Sequence, residues 1–234
     1  MKISTPLVTG YVKEIAPFIY AVVVKDRYDR GMLFCRYQEF YESPYPEIRG
    51  EMFTLEEYMK LYRKKTKNSD FTYTSDWCGY NIPSGILKTA SNLFLEHEST
   101  TGYDEIMYRI INWCDSHAVE RNGGSLHHPW YLIGVDDIKS CIMDHEIAHG
   151  LYYTNEEYRE DMTNIILRIK PSHYNKLKKA LVKIGYADDK NIIDDEIQAF
   201  MSTGVLRDWD HDICKLYKRY FNKLFQTYKN KNYE

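Results

Sequence analysis

DHEIAHGLYY, residues 144–153, sets His145 and His149 four positions apart, with Glu146 directly after the first histidine. In a helix, residues at this spacing lie one turn apart on one face, so both imidazoles can be aimed at a single ion. Glu146 is turned about 100° from His145, which suits a carboxylate that reaches a metal-activated water rather than the metal. This is the arrangement of metal-assisted hydrolysis. A bound ion lowers the pKa of its water from about 15.7 to about 7, and the glutamate takes the proton and passes it to the leaving group. Random placement in a chain of this composition would give about 0.02 such matches. The plain alternative, a helix whose two histidines are merely hydrogen-bonded, is therefore the weaker reading, and a third ligand becomes the deciding question.

Six positions after His149, where metzincins carry histidine and a related group carries aspartate, this chain has Asn155, and Tyr152 stands at the metzincin glycine. Neither pattern holds. The segment Asp194-Asp195-Glu196-Ile197-Gln198-Ala199-Phe200 supplies a glutamate 47 residues after His149. On HEIAH (145–149) and on Glu196 followed by Ala199 and Phe200, the chain resembles the gluzincin type of HExxH zinc metallopeptidase, in particular the short intracellular peptidases that cleave phage repressors. The resemblance spans roughly residues 136–203 and leaves the N-terminal half unassigned. It implies Zn2+ as cofactor, His145, His149 and Glu196 as metal ligands, Glu146 as catalytic general base, and a protein or peptide substrate. Thermolysin-like relatives place an aspartate four residues after the ligand glutamate, but Phe200 stands there. Asp144, Asp194 and Asp195 are then the candidates to orient the ligands, although Asp194 and Asp195 read first as residues favouring a helix start. Tyr152, Tyr153, Arg207 and His211 are candidates to stabilise an oxyanion. Two histidines and a carboxylate also suit Fe(II), so a non-haem iron oxygenase is the alternative enzyme, and a peptidase-like binding protein without catalysis is the non-enzymatic one. Glu146 beside a ligand favours hydrolysis over both.

Around this stretch the local signals predict an α+β, zincin-like fold: a small N-terminal β region and a mostly helical C-terminal half that carries the HExxH helix. A single domain over 1–234 is expected, with hairpin and helices in 1–125 and the metal-site helices in 126–234. Residues 18–25 and 31–38 read as the two strands of a hairpin. Thr54 with Glu57 forms a capping box for a helix, Pro83 opens another, and Ile106, Ile110, Ile111 and Cys114 mark one face of a third. Trp130 to Val135 reads as a strand, and Asp136 as the cap of the helix containing the HExxH motif. Further helices are expected from Thr154 and Glu157 to about Ile169, from Ser172 to Gly185, over Asn191–Thr203, and from Asp210 to about Tyr228.

Composition is that of an ordinary water-soluble domain, with 44% hydrophobic and 28% charged residues. A net charge of -3 provides no global field for nucleic acid or anionic membrane, so neither is an expected partner. Arg63-Lys64-Lys65 and the pair Lys229 and Lys231 read as solvated edges. Five scattered cysteines with no CxxC pair suit a reducing, cytoplasmic setting. The apolar run Ala16–Val24 is too short to span a bilayer. The loop pair His127-His128, the aromatic turn around Trp77, and the lone His173 and His211 read as surface or packing residues.

Overall fold

Met1–Ser140 and Cys141–Glu234 form separate units in a computed structural model that describes residues 1–77, 79–124, 128–140, 142–207 and 209–231. The fold is mixed α and β, with a small N-terminal sheet followed by a mostly helical remainder. The division after Ser140 assigns the strand at Tyr131–Val135 to the first unit, whereas a single domain divided at 125/126 was expected. Cys78, His127 and Cys141 lie outside the described residues. Cys35, Cys114 and Cys214 are buried free thiols.

The first unit carries Lys2–Ser4 (β1), Thr9–Ala16 (β2), Ile19–Val23 (β3), Tyr80–Pro83 (β4) and Tyr131–Val135 (β5) in one sheet of order β1-β2-β3-β5-β4. β3 and β5 run parallel, with Ile19 opposite Tyr131, and the other neighbouring pairs are antiparallel. Every residue of β3 and β5 is buried, as expected for central strands covered on both faces. Between β3 and β5 the chain makes helices α1 (Arg27–Glu42), α2 (Leu55–Thr66), α3 (Tyr73–Asp76), α4 (Ser84–Leu95) and α5 (Gly102–Arg121).

The hairpin expected from 18–25 and 31–38 does not form. β3 pairs instead with β2, and residues 31–38 lie inside α1. Asp26 caps that helix by accepting from the Asp29 N–H at 2.9 Å. Arg30 through Tyr37 are all buried, so α1 has no polar face to reveal a helical period, and an apolar run of this kind resembles a strand. Arg36 stays inside because its guanidinium meets Asp104 at 2.5 Å and the Phe53 carbonyl at 2.6 Å. The expected punctuation at Thr54/Glu57 and at Pro83 is present, and Ile106, Ile110, Ile111 and Cys114 are buried on α5.

Among its described residues, the second unit contains only helices: α6 (Met143–Thr154), α7 (Glu156–Ile166), α8 (Pro171–Lys183), α9 (Lys190–Thr203) and α10 (His211–Lys231). Two expected caps are displaced. α6 begins at Met143 without a side-chain cap, so Asp136 plays no part in starting it. α7 is capped by Asn155, whose side chain accepts from the Tyr158 N–H at 2.9 Å, while the Thr154 hydroxyl turns back to the Gly150 carbonyl at 2.8 Å. Gly185, at φ +115°, ends the turn that follows α8. α9 is capped by Asp189 and closed at Gly204. No helix among the described residues is long and apolar enough to cross a membrane.

One carboxyl of the first unit is poised to titrate. Glu39 on α1 is 5% exposed, and burial pushes its carboxyl up to about 7, only partly offset by the nearby hydroxyls of Ser43, Tyr58 and Tyr73. A carboxyl held above its unfolded value near 4.5 contributes stability below pH 4.5 that is lost as pH rises to about 7. Chemical denaturation of the full chain should therefore show the first unit weakening over that window, by on the order of 3 kcal/mol. Glu39→Gln should remove this component; an unchanged pH profile in that variant would contradict the assignment.

Candidate metal centre

α6 and α9 lie side by side in the second unit, and their register brings the residues singled out in the sequence together. His145 and His149 Nε2 are 3.1 Å apart. Glu196, one helix away, places Oε2 3.8 Å from His145 Nε2 and Oε1 3.6 Å from His149 Nε2. One ligand atom from each of the three residues falls within a cluster no wider than 4.8 Å. A tetrahedral ion about 2.0–2.1 Å from two nitrogens holds them about 3.3 Å apart, close to the separation found here.

The environment of each group is unequal. Burial lowers the His145 imidazole to about 2, helped by the neighbouring His149, so His145 is neutral. Burial also opposes charge on His149, but Asp195, Glu196 and Glu146 outweigh it and hold that ring well above its ordinary value. The two Nε2 atoms face each other 3.1 Å apart, with the Glu196 carboxyl beside them. Burial pushes the Glu196 carboxyl up to about 8; Asp195 and Glu146 add to the rise, while His149 and a hydrogen bond with Tyr186 oppose it. Glu196 Oε2 is buried without a hydrogen-bond partner. A cation entering this cluster would meet both imidazole nitrogens and satisfy the orphaned oxygen, so the residues present fit a divalent metal.

Each histidine is held from behind. His149 Nδ1 lies 2.9 Å from Asp195 Oδ1, a close charge contact bent away from a straight hydrogen bond. Gln198, fully buried, fixes Asp195: its Nε2 donates to Asp195 Oδ1 at 2.9 Å and to the Ala148 carbonyl at 3.2 Å. Its Oε1 accepts from the Tyr158 hydroxyl at 2.9 Å. One side chain thus ties the α6 backbone beside His149 to the carboxylate that orients it. His145 is backed by Thr203, whose hydroxyl donates to the Ala199 carbonyl at 2.8 Å and lies 3.5 Å from His145 Nδ1. The Phe200 ring packs against His145 with centroids 4.4 Å apart.

Asp195 is therefore no helix-start residue. Asp189 caps α9, which places Asp194 and Asp195 beyond its first turn. Asp194 instead accepts from the Tyr174 hydroxyl at 2.8 Å and pairs with Lys190. Asp144 pairs with Lys229 at 2.6 Å. Glu146 is 6% exposed and near enough for its charge to raise both His149 and Glu196.

Of the residues considered for an oxyanion, the Tyr152 hydroxyl contacts Thr163 at 3.3 Å on α7, and Arg207 and His211 are exposed. Tyr153 is half-buried at the end of α6. Sequence reasoning missed Tyr186, a half-buried phenol in the loop before α9 whose hydroxyl reaches Glu196. Its one signal is its place directly after Gly185, in the loop leading to the helix of the third candidate ligand. His128 belongs to the first unit, where its ring stacks on Phe18 at 3.6 Å, and His173 Nδ1 lies 3.0 Å from the Tyr217 hydroxyl.

No protein-family model matches the chain, and no curated protein or solved structure matches it. The chemistry has to be read from the centre itself.

The Gln198 strut makes a measurable difference. In competition with a chromogenic chelator, Gln198→Leu should bind Zn2+ about 10–100-fold more weakly than the unaltered chain. Lys190→Ala, which removes a mostly exposed lysine that pairs with Asp194 and touches none of the candidate ligands, should stay within about twofold. Equal affinity for Gln198→Leu would remove the strut from any role in holding His149.

Proposed function

We propose that the chain is a zinc-dependent hydrolase of the HExxH type, most closely a gluzincin-like metallopeptidase acting on protein or peptide substrates in the cytoplasm. The observation that carries this reading is the convergence of His145, His149 and the orphaned Glu196 oxygen, with the buried Glu146 carboxylate beside them. His145, His149 and Glu196 would hold the ion. When bound, the ion supplies an activated water and polarises the scissile carbonyl.

The remaining steps belong to the chain's own side chains. Glu146 takes the proton of the attacking water and delivers it to the departing amine. Asp195 keeps His149 turned with Nε2 inward and Nδ1–H outward, and Gln198 keeps Asp195 in place. Tyr186, held at the Glu196 carboxyl, has a hydroxyl that can turn to the carbonyl oxygen as negative charge develops there. Phe200, against His145 and 5.6 Å from the Trp209 ring, gives the site an apolar wall suited to an uncharged substrate side chain.

Three lone-pair donors would leave a zinc ion a fourth position for water, unlike a closed structural site with four protein ligands. The general base beside it favours hydrolysis over oxygen chemistry. Elemental analysis after purification should give one zinc per chain. Glu146→Gln should retain that zinc while hydrolysis of a quenched-fluorescence peptide library falls at least about 100-fold. A metal-free protein, iron in place of zinc, or full activity in Glu146→Gln would each overturn the reading.

A further inference from the structure

α10 uses two apolar stripes where an amphipathic helix ordinarily needs one. Ile213, Phe221, Phe225 and Tyr228 are buried within the second unit. A second stripe, Leu216, Tyr220 and Leu224, repeats every four residues and faces a groove against Ile165 and Arg168, beside the C-terminal end of α7. The groove holds about 600 Å3, within the range of about 300–1,000 Å3 typical of ligand clefts. Leu216 and Tyr220 remain 55% and 47% exposed, and Leu167, next to Arg168, is 70% exposed. Leu216 and Tyr220 thus leave apolar side chain open to solvent along the wall of the groove.

Charge narrows the occupant. α10 carries six basic residues and one acidic residue in a chain whose net charge is -3. Arg168 and Lys223 line the groove, and the Arg219 guanidinium lies over the Tyr220 ring at 4.6 Å. Among the described residues, no salt bridge engages Arg168, Arg219 or Lys223. A second copy presenting the same face would set these cations against their own images. A flat bilayer cannot follow a concave channel between helices, and the overall negative charge opposes approach of nucleic acid.

We propose that the α7–α10 groove binds an amphipathic helix of a partner protein whose apolar stripe is flanked by acidic residues. Leucine-like side chains at three- and four-residue spacing would seat between Ile165 and the Leu216–Tyr220–Leu224 row, and the flanking carboxylates would meet Arg168, Arg219 and Lys223. This surface is separate from the metal centre, so the proposal stands or falls independently of catalysis.

The test is fluorescence anisotropy of the full chain with a labelled helical peptide carrying Leu on one face and Glu on its flanks, alongside a matched peptide with Lys for Glu. The Glu peptide should bind, with affinity falling as salt rises, and the Lys peptide should not. Leu216→Asp and Lys223→Glu, both at exposed positions, should each weaken binding at least about tenfold while circular dichroism stays unchanged. Equal binding of both peptides would overturn the proposal, as would unchanged affinity in Leu216→Asp. So would stronger competition from a single-stranded oligonucleotide or from phosphatidylserine vesicles, or self-association of the chain through this face.

Discussion

The second unit depends on one contact: α6 lying against α9 in the register that points His145 and His149 Nε2 and the Glu196 carboxylate into a common space. Nothing in the apolar packing of these helices asks for it. Ile147, Ala148, Ile197 and Ala199 are buried and would tolerate other polar neighbours. Burying a carboxyl with an unpartnered oxygen beside two imidazoles costs free energy that a leucine in the same place would not. A cation seated among these groups would relieve much of this cost. Arrangements that carry such a cost are a mark of functional sites.

Around that contact the polar interior is connected rather than scattered. Tyr158, Gln198 and Asp195 form one chain of donors and acceptors across α7 and α9, Gln198 also donates to the Ala148 carbonyl of α6, and Asp195 makes a close charge contact with His149. Three helices are thereby fixed relative to one another at the level of hydrogen bonds. The His149 ring has little freedom to turn its Nε2 away from the cluster. His145 is held more loosely, by an aromatic ring and a long contact to a hydroxyl. The two imidazoles thus differ in their charged neighbours and in constraint, although the sequence makes them look equivalent.

What the sequence could reveal follows from which forces are local. His145, His149 and Glu146 are legible because helix periodicity alone sets their relation. Glu196 could be reached only as a candidate, since its approach depends on how two helices 47 residues apart in the chain pack. Asp144, Asp194 and Asp195 are equal candidates in the sequence to orient a ligand, and only the packing of α9 on α6 singles out Asp195, 2.9 Å from His149 Nδ1. Gln198, Tyr158 and Tyr186 carry no local signature; their roles exist only in tertiary contact. In the first unit, the caps at Thr54 and Pro83 were plain, while α1 was mistaken for a strand because burial on all sides erased the polar half of its pattern. The groove on α10 is a further case. Its basic residues Arg168 and Lys223 carry no signal in the sequence, because only the packing of α7 against α10 brings them to one groove.

The central claim concerns the position of an ion, and a crystal structure of the zinc-soaked protein tests it most directly. The account predicts a single ion within about 2.0–2.2 Å of His145 Nε2, His149 Nε2 and a Glu196 oxygen, with its fourth position open to solvent. A fully soaked crystal with zinc bound elsewhere, or with Glu196 turned away from an ion held by the histidines, would contradict it.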